Sequence, residues 1–144
     1  INHFIINEQW HLVDLPGYGY AKTPLEVKAH WNELLGIYIE TREQLKGLAL
    51  MVDIRRGLTP LDIEMINWFV PQNKPIHVLL TKSDKLPRGQ AGTALLTARK
   101  QLTELAGELA SVQLFSSTNR VGIEEAGEVF GQWILQHKLP SPEA

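Results

Sequence analysis

Three short apolar runs, set far apart, each stop at a polar cluster: Leu48–Val52 at Asp53, Ile76–Leu80 at Thr81-Lys82-Ser83-Asp84, and Val112–Phe115 at Ser116-Ser117. Runs of this length are too short for buried helices and suit strands covered on both faces, the habit of parallel sheets. The intervening stretches are long enough to cross back over such a sheet, and they carry helical spacing. Thr59-Pro60-Leu61-Asp62 has a capping threonine, a first-turn proline and an acidic residue at the third position, so it predicts a helix start, with the helix ending before Pro71. Ala91, Leu95, Ala98, Leu102, Leu105 and Leu109 predict one long helix, and Ile123, Ala126, Phe130, Trp133 and Ile134 the inward face of a last one.

The amino-terminal part follows the same grammar. Trp10-His11-Leu12-Val13 runs as a strand into Asp14-Leu15-Pro16-Gly17, and Thr23-Pro24-Leu25-Glu26 opens a helix whose buried stripe is Val27, Trp31, Leu34, Leu35 and Tyr38. Strand and helix patterns thus alternate along the whole chain, which predicts an α/β fold: a mostly parallel sheet with helices on both faces. Residues 1–139 read as one domain, and Pro140-Ser141-Pro142 marks 140–144 as a tail.

Bulk composition narrows the chemistry. The 144 residues contain no cysteine, which excludes disulfides and thiolate metal sites, and the five histidines lack the spacing of a zinc site. His77 lies inside an apolar run and reads as a hydrogen-bonded core histidine. A formal charge of −2 gives no global pull toward nucleic acid, although Arg55-Arg56, Lys82 with Lys85 and Arg88, and Arg99-Lys100 form local basic clusters that read first as solvated faces. No apolar stretch approaches the roughly 18 residues of a membrane span, and Ile1-Asn2-His3-Phe4 is unlike a signal peptide, so the expectation is a cytoplasmic protein.

In open α/β sheets ligands gather at the carboxyl ends of strands, where all of these polar motifs fall. Thr81, Lys82, Ser83 and Asp84 then predict a guanine-recognition loop. The Asp84 carboxylate can accept from the ring N–H and the exocyclic amine of guanine, a donor pair that adenine does not offer, and Lys82 can lay its aliphatic stem along the base. Phe115, Ser116 and Ser117 close the loop whose backbone N–H would meet the guanine oxygen. Asp14 would hold Mg²⁺ through water, and the Gly17 N–H, at the end of Asp14, Leu15, Pro16 and Gly17, would meet the γ-phosphate. Each string taken singly also suits an ordinary surface turn. The order of the three at strand ends is the order of a GTP-binding domain. The Gly-x-x-x-x-Gly-Lys-Ser/Thr phosphate loop that should precede them is not in these residues.

The chain resembles the EngB (YsxC, YihA) family of bacterial ribosome-biogenesis GTP-binding proteins, in the TrmE-Era-EngA-like branch of the Ras-like superfamily. The resemblance covers nearly the whole chain. It rests on Asp14-Leu15-Pro16-Gly17-Tyr18-Gly19-Tyr20-Ala21, on Trp31, Tyr38 and Arg42, on Met51-Val52-Asp53-Ile54-Arg55 with Asp62, on Leu79-Leu80-Thr81-Lys82-Ser83-Asp84-Lys85-Leu86, and on Phe115-Ser116-Ser117. It implies a Ras-like P-loop GTPase fold that binds GTP and GDP with Mg²⁺. It also implies a partner, the large ribosomal subunit, through its RNA and proteins. The strand that feeds the phosphate loop and the switch threonine are expected ahead of Ile1, so that this strand would lie between those ending at Asp14 and Asp53. Tyr18 stands where Ras-type enzymes carry a water-orienting glutamine, which predicts slow intrinsic hydrolysis, with the water placed by another residue, K⁺ or a partner. The rival expectation is a non-catalytic interaction module that keeps the fold without a phosphate site.

Overall fold

The computed structural model describes residues 2–5, 11–14, 29 and 46–138. The chain divides into two compact units, Ile1–Glu40 and Thr41–Ala144. In the first, strands β1 (Asn2–Ile5) and β2 (His11–Asp14) pair antiparallel, with Asn2 opposite Asp14 and Ile5 opposite His11. The expected helix from Thr23 to Tyr38 and the 140–144 tail lie outside the described residues.

The second unit holds a three-stranded parallel sheet, ordered β3 (Leu48–Asp53), β4 (Ile76–Thr81) and β5 (Ala110–Leu114). The helices between and after them are α1 (Pro60–Phe69), α2 (Arg88–Ala106) and α3 (Ile123–Lys138). Helix α1 starts where the sequence predicts. Asp62 N–H donates to Thr59 Oγ1 at 3.3 Å while Thr59 N–H donates to Asp62 Oδ2 at 2.8 Å, a reciprocal cap of the kind that contributes about 1 kcal/mol. Pro71 falls in a short 3₁₀ turn, Val70–Gln72, directly after the helix.

Strand β4 is the centre of this sheet. Ile76, His77, Val78, Leu79 and Leu80 are all buried, so both of its faces are covered, whereas its neighbour β3 alternates. Leu48, Leu50 and Val52 are buried, but Met51 is 64% exposed. The unbroken apolar run predicts a strand covered on both faces. Among the described residues β3 pairs only with β4, and the helix on the Met51 face, α3, reaches the opposite end of the strand: Phe130 packs edge-on against His77 at 5.7 Å and Trp133 lies against Gly47.

Two helix boundaries differ from the apolar stripes. Helix α2 stops at Ala106 because Gly107 takes a positive φ of 57° at its C-cap, so Leu109 sits in a 3₁₀ turn rather than on the helix. In α3, Ala126 is buried and Phe130, Trp133 and Ile134 are half-buried, but Ile123, in the first turn, is 40% exposed.

Candidate functional site

The carboxyl ends of the three parallel strands bring two of the predicted motifs together. Parallel pairing carries β4 and β5 out of the sheet side by side, and the ladder continues into the loops: Phe115 N–H donates to Leu80 O at 2.9 Å, and Ser83 N–H donates to Phe115 O at 3.1 Å. Ser83 is thereby buried, and Thr81 Oγ1 ties back to Val52 O on β3 at 3.2 Å. Lys82 adopts a left-handed backbone (φ 60°), which turns the chain so that Ser83-Asp84-Lys85 forms one 3₁₀ turn over the end of β5.

Asp84 is held by the second loop. Ser116 Oγ–H donates to Asp84 Oδ1 at 2.8 Å, while the same oxygen accepts from Asn119 N–H at 3.1 Å. Ser116 is completely buried, and its backbone exchanges two 3.0 Å hydrogen bonds with Val121, closing residues 116–121 into a small ring. The Ser116 hydrogen bond lowers the Asp84 carboxyl below its ordinary range, helped by its own backbone N–H, Lys85 and Arg55, so the acceptor form is the one present at neutral pH. Lys85 Nζ lies 3.8 Å from Asp84 Oδ2. An ionised carboxylate has about four lone-pair sites, so the Ser116 bond leaves acceptor capacity for a ligand. Ser117 is exposed beside this arrangement.

A second carboxylate, Asp53 at the end of β3, organises the cations. Arg55 grips it with two side-chain bonds, Nε at 3.1 Å and NH2 at 2.8 Å, and with its backbone N–H at 2.9 Å. Lys82 Nζ stands 3.6 Å from the same group. These Arg55 bonds hold the Asp53 carboxyl far below the usual carboxylate range. Sequence reasoning placed Lys82 in the loop but did not pair it with Asp53, since the two lie on neighbouring strands. Asn119 was likewise missed: nothing in the string Ser117-Thr118-Asn119 marks the amide that reaches back to Ser116.

Asp14 closes β2 in the first unit, and Leu15, Pro16, Gly17 and Tyr18 lie outside the described residues. Among the described residues no group of three or more His, Asp or Glu could hold a metal ion, and no helix is long and apolar enough to cross a membrane.

No family model matches the chain. The solved structures it resembles include the translation elongation factor SelB of Methanococcus maripaludis. The apo form gives a TM-score of 0.54 at 18% identity over 66% of this chain and 20% of that one. The complex with the GTP analogue GppNHp gives 0.53 at 19% identity, over 64% of this chain and 21% of that one. This likeness is one of fold, the α/β arrangement of Ras-like P-loop GTPases. Sequence relatives are much nearer. The protein named "Probable GTP-binding protein EngB" of Ralstonia nicotianae is 54% identical over 140 residues, which cover 92% of this chain and 60% of that protein. Its namesake in Azoarcus sp. (strain BH72) is 52% identical over 94% of this chain and 65% of its own length. The Methylobacillus flagellatus protein of the same name is 48% identical over 144 residues, 100% of this chain and 69% of its own length. The chain thus spans about two thirds of the length of these relatives, and at these identities it belongs to the EngB family of GTP-binding proteins.

Proposed function

We propose that this chain is the base-reading part of a guanine-nucleotide-binding GTPase, a GTP/GDP switch that works in the cytoplasm on assembly of the large ribosomal subunit. Asp84 accepts from the ring N–H and exocyclic amine of guanine, Lys82 lies along the base, and the 115–117 turn presents a backbone N–H to the guanine oxygen. Asp14 would hold Mg²⁺ through water, and the Gly17 N–H would meet the γ-phosphate. Tyr18 in place of a glutamine amide makes intrinsic hydrolysis slow and leaves the water to another residue, K⁺ or a partner.

The observation that carries this reading is the joint between the two loops. Ser83 bonds to Phe115, and Ser116 bonds to Asp84 at 2.8 Å, so the carboxylate is ionised and oriented before any ligand arrives. Such preorganisation suits recognition of a fixed donor pair, because mobile acceptors would have to be ordered at binding. Family membership supports the same reading. Calorimetric titration of the full gene product with GDP and ADP tests it: GDP should bind tighter by about 10⁴ or more, as expected where buried polar groups must be paired. Equal affinities would contradict the reading, and would favour the interaction module that keeps the fold alone.

A further inference from the structure

Behind the 116–121 ring lies a line of polar groups where an α/β sheet ordinarily carries aliphatic side chains. His77, Ser111 and Gln113 share one face of β4 and β5 in register, and His77 and Gln113 are 1% and 2% exposed. Gln113 Nε2 donates to Gly122 O at 2.7 Å and to Leu114 O at 3.1 Å. Its amide orientation is therefore settled, and Oε1 is the acceptor for His77 Nε2–H at 2.8 Å. His77 Nδ1 then accepts from Ser111 Oγ–H at 2.6 Å, and Phe130 closes the ring from the side.

We propose that Gln113, locked by His77, is a positioning residue for base recognition: it anchors Gly122, and with it the loop whose Ser116 orients Asp84. The inference rests on the reading that Asp84 meets guanine. The mechanical route is short. Gly122 follows Val121, which is bonded on both sides to Ser116, and Ser116 holds Asp84. Gly122 approaches Gln113 so closely that a Cβ there would lie 2.5 Å from Gln113 Nε2 and 2.2 Å from Leu114 O, at a φ of 81° that other residues rarely adopt. Burying the His77 and Gln113 side chains is costly unless each is paired, and the pairing, which exposed Ser111 completes from the rim, converts that cost into a single loop position.

The test compares GDP with inosine diphosphate, which lacks the exocyclic amine, on the full gene product. Wild-type protein should favour GDP by about tenfold or more, one charge-assisted hydrogen bond. Gln113→Leu fills the same space without the amide. It should weaken GDP about tenfold and inosine diphosphate much less, narrowing the ratio, and it should speed amide hydrogen exchange at Asn119 and Val121 before nucleotide is added. His77→Phe keeps the ring packing against Phe130 but strands Gln113 Oε1, and should act in the same direction more weakly; it carries the test if Gln113→Leu does not fold. Loss of both affinities by one factor with unchanged loop exchange would overturn the relay and leave the Asp84 reading standing. Wild-type protein that binds both nucleotides equally would overturn both.

Discussion

Two aspartates end neighbouring regions of one sheet, and they are used in opposite ways. Asp53 is surrounded by cations, gripped three times by Arg55 and faced by Lys82. Asp84, close by at the end of the next strand, is oriented by a neutral hydroxyl from Ser116, with Lys85 at the longer distance of 3.8 Å and Arg55 acting on it through its charge alone. Both carboxyls are shifted down, Asp53 chiefly by Arg55 and Asp84 chiefly by Ser116. The difference teaches which group is available. A carboxylate saturated by guanidinium is an anchor, whereas one held by a hydroxyl keeps its charge and its lone pairs for something that is absent until a ligand binds.

That contrast can be broken or sharpened by substitution. Apart from replacing Asp84 itself, the largest effect is expected from Ser116→Ala, which removes the donor to Asp84 and leaves Asn119 N–H without its acceptor; GDP affinity should fall about tenfold or more by calorimetry, since a hydrogen bond to a charged group is lost. Asp53→Asn should act more gently. Released from Asp53, Lys82 becomes mobile, so GDP affinity falls severalfold, as for a partly screened pair, while the GDP to inosine diphosphate ratio stays unchanged. The same variant has an acid signature. A carboxyl lowered by folding stabilises fully above its unfolded value of about 3.9 and loses that contribution as pH falls toward the folded value. Asp53→Asn should therefore flatten the loss of stability below about pH 4 in acid-denaturation curves, with little change in slope at neutral pH. The smallest effect belongs to Lys85→Ala. Its ammonium is exposed and 3.8 Å from Asp84, so affinity should change by about a factor of two or less and the difference should fade with salt.

Much of this architecture was legible from the order of residues because local chemistry and global fold agree. Thr59 and Asp62 announce a helix start by themselves, and the apolar run ending at Thr81 places the Lys82-Ser83-Asp84 turn at the mouth of the sheet. The failures have two causes, a local backbone turn at one helix end and contact between elements distant in sequence. Leu109 continues the stripe of α2, yet a single glycine conformation at 107 ends the helix before it. Met51 belongs to a run that looks buried throughout, but cover on its face depends on where α3 crosses. Gln113 is an unremarkable polar residue in its strand until the register sets it diagonal to His77 and under Gly122. Of the candidate site, the strand-end motifs could be read directly, whereas the partners that orient them, Asn119, Gly122 and Asp53 toward Lys82, could not.

The most direct measurement of the central claim is the affinity of GDP and xanthosine diphosphate for wild-type protein and for Asp84→Asn. Xanthine carries a carbonyl where guanine carries its amine, and an asparagine amide can donate to it while still accepting from the ring N–H. The account predicts that wild-type protein prefers GDP and that the variant prefers xanthosine diphosphate, a combined swing of about 10⁴ for exchanging a matched for a mismatched polar pair. A variant that still prefers GDP by the wild-type ratio would contradict it.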